Sequence, residues 1–261
     1  MPGTRFTDVR RFATIDSTNR YLLDEARAGA PEGVVAVADH QTAGRGRLGR
    51  RWLAPPGANL LVSVLLRPGL RPERGQLAAS VVAVAAAEAV GDVAGVKVGI
   101  KWPNDLLATD GRKVAGVLAE ADVAASSPAP GTFPPIVVGI GINVNWPEQD
   151  TDLGPELVGA ATSLCQLAGH RVDGDALLDA LLTYLEPRVA DLATDLGQAR
   201  QAADLLARCT TVGTQVRVEL AGETLEGTAT GITPDGHLTV DVGGQPRTVV
   251  AGDVVHLRPP A

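Results

Sequence analysis

VKVGIKWPNDLLATDGRKVAGVLAEA, residues 96–121, reads as three short runs of Val, Leu, Ile and Ala, broken first at Pro103 and again at the turn pair Asp110 and Gly111. Together with IVVGIGINVN at 136–145 it makes three or four strands in succession with no helix between them. Consecutive strands joined so closely must pair antiparallel somewhere in their sheet. The Pro- and Ser-rich stretch 126–135 separates the last two and reads as a hairpin loop rather than a domain linker.

Outward from this block, GQLAASVVAVAAAEAV at 75–90 is apolar almost all round and is expected to form a buried helix ending at Gly91. VVAVAD at 34–39 and ANLLVSVLL at 58–66 read as strands on either side of a glycine-rich run. STNRYLLDEARA at 17–28 opens with the cap-type residues Ser17 and Thr18 and stops at Gly29, a short amphipathic helix. Beyond 174, Leu177, Leu178, Leu181, Leu182, Leu185, Val189 and Leu192 keep a helical period, which Pro187 is expected to break or kink near Glu186. A short helix over 198–208 follows. After Thr210 the texture changes to brief alternating runs punctuated by Gly, Asp and Pro. The expected architecture is α+β: a mixed-sheet domain over 1–209 and a small all-β domain over 210–261, too small for a rich core of its own.

The chain is 45% hydrophobic but only 3% aromatic, so its core must be built from Ala, Val, Leu and Ile. A net charge of -7 denies it the basic footprint of a general nucleic-acid binder, and a local basic patch must serve something smaller. Cys165 and Cys209 form no C-x-x-C pair, and His40, His170, His237 and His256 are scattered, which argues against zinc or a disulfide framework. The histidines are read as surface or satisfied core residues. No apolar segment follows the basic residues of the N-terminus, and no run of 18 apolar residues goes uninterrupted, so a cytoplasmic protein with no membrane association is expected.

Gly44-Arg45-Gly46-Arg47-Leu48-Gly49 matches G-x-G-x-x-G literally, yet it runs into Arg50, Arg51, Trp52 and two prolines rather than opening a helix. A dinucleotide-binding turn needs that helix, so the match fails on context. What is left is a glycine loop bearing four arginines, suited to closing over a phosphate and equally to life as a solvated basic loop. Lys113 enters an apolar strand, where its ammonium meets an anionic ligand or guards a sheet edge. Lys101, Trp102, Asn104 and Asp105 gather where a strand ends around Pro103, as a site or as turn chemistry. Gly139-Ile140-Gly141-Ile142-Asn143 places two glycines in a β-branched strand, for close approach of a ligand such as a purine ring or of a neighbouring helix. Ser17, Thr18 and Asn19 serve as a helix cap, a role compatible with a ligand beside it.

Taken in order, DSTN (16–19), HQTAGRGRLGRRW (40–52), GIKWPNDLL (99–107), GRKVAGVLAE (111–120), GIGINVN (139–145), ATSL (161–164) and GDVVHLR (252–258) closely resemble the biotin protein ligases across nearly the whole chain. The resemblance implies a catalytic domain related to class II synthetases, ending in an SH3-like barrel. It implies that MgATP and biotin yield biotinyl-5'-AMP, whose acyl group passes to a lysine of a biotin carboxyl carrier protein of the acetyl-CoA carboxylase type. Ser17, Thr18, Asn19 and Gln41 would then bind the biotin head, with Gly116 at the back of the pocket. Arg45, Gly46 and Arg47 fall in the family's loop over biotin and the adenylate phosphate, and Lys113 at the biotin carboxylate and α-phosphate; Lys113 and Arg47 would be catalytic. Trp52, Lys101, Asn104, Asp105 and Asn143 match positions around the nucleotide, while the resemblance assigns no metal ligand. Some family members carry an N-terminal DNA-binding domain and repress transcription; DSTN begins here at residue 16, so no operator binding is expected. Lipoate or octanoate ligases of the same fold are the enzymatic alternative, against which the Gly-Arg loop and KWPND stand. A non-catalytic biotin-sensing module is the other.

Overall fold

Long apolar stretches become helices and short β-branched runs become strands. Their order is β1 (Val9–Phe12), α1 (Thr18–Arg27), β2 (Val35–Ala38), β3 (Leu60–Leu66), α2 (Gln76–Ala94), β4 (Val98–Lys101), β5 (Asp105–Ala108), β6 (Lys113–Ala121) and β7 (Ile136–Ile142). Then come α3 (Leu164–Ala168), α4 (Gly174–Asp191), α5 (Asp195–Arg208), β8 (Gln215–Glu219), β9 (Thr224–Ile232), β10 (Leu238–Val242), β11 (Gln245–Val249) and β12 (Asp253–His256). The computed structural model describes residues 4–121, 134–155, 157–220 and 222–257; of the hairpin loop expected over 126–135, all but Pro134 and Pro135 lies outside them.

Seven strands form one sheet in the order β1-β2-β3-β7-β6-β5-β4. β1 and β2 run parallel and the other neighbours antiparallel, so the sheet is mixed, as the strand succession required. β8 to β12 make a second, antiparallel sheet in the order β11-β10-β9-β8-β12, the SH3-like module expected at the C-terminus. β1 escaped the sequence reading because VRRF has neither the length nor the apolar alternation of a strand.

Alternation along the central strands sorts their residues onto two faces. Val62, Val64 and Leu66 of β3 and Val138, Ile140 and Ile142 of β7 join the large core against α2. Leu65 and Val137 face the other way and pack on Leu22 and Ala26 of α1. The α2 helix is long and apolar enough to cross a membrane, but 78% of that stretch is buried inside this fold. It runs past Gly91 and ends at Gly95, whose left-handed φ of 64° makes the cap that Gly91 was expected to make.

Pro187 does not break α4, which continues to Asp191. A mid-helix proline costs about 3 kcal/mol. Against it stand Leu177, Leu178, Leu181, Leu182, Leu185 and Val189, all buried, each contributing roughly 1.5–3 kcal/mol by burial. Arg188 pins the same turn from the side: its guanidinium reaches Glu88 on α2 and Asp204 on α5, each at 2.7 Å. α5 starts at Asp195, three residues before the expected start, because the Thr194 side chain caps it by accepting from the Gly197 N–H.

The two sheets are joined through Trp102, which is buried. Its indole N–H donates to the Gly236 carbonyl at 3.0 Å and its backbone N–H to Thr211 Oγ1 at 3.0 Å. Thr211 Oγ1 also lies 3.0 Å from His256 Nε2 on β12. Burial, and then the charge of Lys101, hold the His256 imidazole below its ordinary pKa. The folded protein therefore refuses a proton that the unfolded chain accepts, and this group's contribution to stability is complete above about pH 6.5 and lost as pH falls through its lowered value. Urea unfolding at pH 7.5 and at about pH 5 should show the wild type losing more stability on acidification than His256→Gln; equal losses would remove His256 from the balance.

Candidate functional site

On the face of the central sheet turned away from α2, one patch across β3, β7 and β6 carries little side chain: Ser63, Gly139, Gly141 and Gly116. Register places Ser63 beside Gly139, and Leu61, Gly141, Gly116 and Asp105 in one row across β3, β7, β6 and β5. A Cβ at Gly139 would stand 2.1 Å from Asn19 Oδ1, and one at Gly141 would stand 2.6 Å from the Trp52 ring. The glycines thus let the Asn19 amide and the Trp52 indole lie on the strands, and the space beyond is a cavity of about 460 Å³. That volume suits a small-molecule ligand. What approaches Gly139 is Asn19, in the first turn of the neighbouring helix α1, so at this position the packed-helix reading holds; what approaches Gly141 is an aromatic ring, the protein's own Trp52.

All the sequence-predicted site residues except Lys101 line this cavity. Lys101 ends β4, one strand beyond Asp105, where its charge is felt by His256, so the expectation that it faces the nucleotide is corrected.

At one end the start of α1 builds a polar corner. Ser17 caps the helix, accepting from the Arg20 N–H, and leaves Thr18 and Asn19 buried in the first turn. Gln41 Oε1 accepts from the Thr18 N–H at 2.8 Å and from its hydroxyl at 3.1 Å. Ser63 Oγ lies 2.7 Å from Thr18 Oγ1 and 2.6 Å from Asn19 Oδ1, with a single proton for the two. Asn19 Nδ2 donates to the Leu118 carbonyl at 3.1 Å and to Glu120 at 2.8 Å, so the amide is oriented with its oxygen toward Ser63. The corner offers a ligand free lone pairs on Ser63 and Asn19, together with the Gln41 amide N–H group: acceptors and donors side by side, suited to a ligand with both. Ser63 was missed in the sequence, although a lone hydroxyl inside LLVSVLL is a signal, since burying one is costly without partners.

The middle of the cavity belongs to Trp52 and Lys113. Lys113 Nζ sits 5.5 Å from the centroid of the Trp52 ring and 2.7 Å from Asp105 Oδ1. Trp52 Nε1 is buried without a partner among the described residues, a donor available to a ligand. Opposite its β5 partner, Lys113 is bonded to the segment 160–162: its N–H donates to the Ala160 carbonyl and its carbonyl accepts from the Thr162 N–H. Asn143 lines the wall, but its amide is engaged, donating to the Thr162 carbonyl at 3.0 Å and accepting from Asn59 at 3.4 Å. It holds the wall together.

The glycine-arginine loop closes the other end as a narrow hairpin. Arg45 bridges Arg51, and the Gly46 N–H donates to the Arg50 carbonyl at 2.7 Å, so this backbone donor is occupied rather than open to a phosphate. No helix opens here; one 3₁₀ turn, Arg47–Gly49, carries Leu48 at a left-handed φ of 56°. Arg47 reaches Asn104 Oδ1 at 3.3 Å and the Gly252 carbonyl at 3.1 Å, and Arg50 reaches Asp253 at 2.7 Å. Burial lowers the pKa of the Arg47 guanidinium, while the charges of Asp253 and Asp105 oppose the shift. A half-buried cation with hydrogen-bond partners but no carboxylate in contact is a ready anion site. Arg50, one of the four loop arginines expected near a phosphate, is also on the cavity wall, as is Asp253, which was not anticipated because its pairing with Arg50 depends on how the second sheet docks.

Among the described residues no group of three His, Cys, Asp or Glu is placed to hold a metal, and Cys165 and Cys209 are free thiols. His237 departs from its reading as a satisfied residue: it is buried and its Nε2 has no partner among the described residues, though it lies outside the cavity.

Residues 11–143 match the Biotin/lipoate A/B protein ligase family, and residues 211–257 the Biotin protein ligase C terminal domain. The chain is similar to the biotin--[acetyl-CoA-carboxylase] ligase of Mycobacterium tuberculosis, at 39% identity over 98% of this chain and 91% of that one. It is also similar to the bifunctional ligase/repressor BirA of Bacillus subtilis, at 32% identity over 92% of this chain and 71% of that one. Among solved structures it resembles the biotin protein ligase of Aquifex aeolicus in complex with biotin and ATP, with a TM-score of 0.79 and 25% identity over 97% of this chain and 100% of that one.

Gly141→Ala should drive the Trp52 indole off the sheet, costing about 1–3 kcal/mol by overpacking if the fold absorbs it. The check is tryptophan fluorescence beside a thermal melt: a shifted emission with a cooperative melt is expected, and unchanged emission would mean that Trp52 does not need the bare glycine.

Proposed function

The chain belongs to the biotin/lipoate A/B protein ligase family, and we propose that it works on that family's biotin branch, as an ATP-dependent ligase acting on a biotin carboxyl carrier protein. It is an enzyme that binds biotin and ATP, forms biotinyl-5'-AMP and transfers the biotinyl group to a lysine of the acetyl-CoA carboxylase carrier. The observation that carries the reading is one cavity with a polar corner of acceptors and donors and, on the same wall, the cations Lys113, Arg47 and Arg45. A cyclic urea, with two N–H donors and one carbonyl, fits that corner; the apolar tail of a lipoyl or octanoyl group leaves its buried polar atoms unpaired.

In the first step a biotin carboxylate oxygen attacks the α-phosphorus of MgATP, forming the mixed anhydride as the bond to pyrophosphate breaks. Two anions must meet, so the protein has to supply positive charge where they do. Lys113, paired in the free protein with Asp105, exchanges that partner for the carboxylate and α-phosphate oxygens. Arg47 and Arg45 bind the phosphate from the loop side. Trp52, Asn104, Asp105 and Asn143 border the nucleotide, and Ser17, Thr18, Asn19, Gln41 and Gly116 the biotin. Magnesium would arrive with the triphosphate as part of the substrate, and Asp105 and Asp253, carboxylates of the cavity lining, would offer it oxygen ligands that offset phosphate charge. In the second step the neutral ε-amine of the acceptor lysine attacks the anhydride carbonyl, the C–O bond breaks, AMP leaves and the amine proton passes to solvent. Both steps belong in the cytoplasm, where ATP and the carboxylase are found.

Incubated with biotin, MgATP and an apo carrier domain, the protein should add one biotinyl group to the carrier, read by intact mass; transfer of lipoate or octanoate instead would move the assignment to the sister branch. Lys113→Ala should slow adenylate formation by roughly 10²–10³, the loss typical of one removed charge-stabilising donor, while sparing transfer from added biotinyl-5'-AMP. Equal loss in both half-reactions would count against the role given to Lys113.

A further inference from the structure

Glu120, next to last in β6, stands on the cavity side of the sheet in the same alternation as Gly116 and Leu118, but outside the cavity lining. Its carboxylate accepts from Asn19 Nδ2 at 2.8 Å and lies 3.3 Å from Arg45 Nη2. One group thus holds a side chain buried in the floor of the cavity and another, about half-exposed, on the loop over its mouth. The two contacts differ in kind. Asn19 needs only an acceptor oxygen, since its second amide proton already goes to the Leu118 carbonyl. Arg45 needs the negative charge, and Glu120 is its salt-bridge partner among the described residues.

Building on the ligase reading, we propose that Glu120 is a positioning residue that ties the glycine-arginine loop to the biotin corner, so that the loop closes in register over the mixed anhydride and shields it from water. A half-exposed ion pair contributes little to global stability. Its effect is instead on where Arg45 rests, because an arginine tethered on the same carboxylate as Asn19 cannot swing into solvent without leaving that carboxylate's charge behind. Glu120 touches neither reacting atom and acts through Asn19 and Arg45.

The experiment separates the two contacts in the full-length protein. Glu120→Gln keeps an acceptor for Asn19 and loses the charge for Arg45; Glu120→Ala loses both. With acceptor absent, Glu120→Gln should leak biotinyl-5'-AMP, by release and hydrolysis together, about three- to fivefold faster than wild type, in line with the loss of one exposed ion pair, at a KM for biotin within about twofold. Glu120→Ala should leak similarly and also raise the KM for biotin by roughly tenfold, as loss of a charged hydrogen-bond partner would. Arg45→Ala, which also loses its phosphate contact, should leak at least as fast as Glu120→Gln, and the double variant should leak no faster than Arg45→Ala alone. A Glu120→Gln adenylate lifetime equal to wild type, or leaks that add in the double variant, would overturn the proposal. Should Glu120→Ala fail to fold, the Glu120→Gln, Arg45→Ala and double-variant comparison decides alone. A wild-type protein that makes no biotinyl-5'-AMP would instead overturn the ligase reading.

Discussion

Three missing side chains govern this site. A β-sheet normally covers both faces with side chains, and a ligand then meets a wall of Cβ branches. At Gly116, Gly139 and Gly141 that wall is absent, and contacts of 2.1 Å and 2.6 Å from an added Cβ to Asn19 and Trp52 show how fully the space is used. Asn19 is carried in by the first turn of α1 and Trp52 by the end of the glycine-arginine loop, elements far apart in the chain that meet only on this bare patch. Residues that leave a strand thin also weaken it, and that weakness is offset here by the packed opposite face, where Val138, Ile140 and Ile142 of the same strand are buried against α2.

Four of the five cations that line the cavity are occupied in the free protein, Arg51 being the exception among the described residues. Lys113 rests on Asp105, Arg45 on Glu120 and Arg50 on Asp253, while Arg47 rests on neutral acceptors. In a chain of net charge -7 this pairing limits how strongly an anion is drawn in. It also gives selectivity, because a ligand must offer more than charge to replace carboxylates already in place. The polar corner supplies that second requirement, and Arg47, cationic, half-buried and without a carboxylate in contact among the described residues, is a position from which a phosphate displaces no carboxylate. The loop joins both sheets through Arg47 and Arg50, so its resting position depends on the C-terminal module as well as on the domain that holds the cavity.

That module is held by Trp102, whose indole and backbone N–H groups both bond to the segment from Thr211 to Gly236. The same short stretch, Lys101 to Asp105, also supplies Asn104 to Arg47 and Asp105 to Lys113. Docking of the second sheet and placement of two charged side chains in the cavity are therefore consequences of one turn, which explains why so dense a motif stands between two ordinary strands.

The sequence by itself determined the α+β class, the succession of antiparallel strands, the buried helix α2 and the change of texture at Thr210, because apolar period and turn chemistry are local properties. It also determined, through ordered motifs, the residues that gather in the cavity, Lys101 excepted. Helix ends were less legible: Gly91 and Gly95 are alike in sequence, and only packing decided which takes the left-handed cap; Pro187 is a breaker in isolation and is overruled by six buried neighbours and the Arg188 ion pairs. What the tertiary structure alone decided is who partners whom. Ser63, Glu120 and Asp253 join the site through contacts spanning tens to hundreds of residues, and long-range pairing leaves no periodic trace in a chain. Glycines 139 and 141 likewise read as room for a ligand or for a neighbouring helix, and only the fold decided that Asn19 of α1 and the Trp52 ring take that room, since a bare strand is open to whichever group the topology brings nearest.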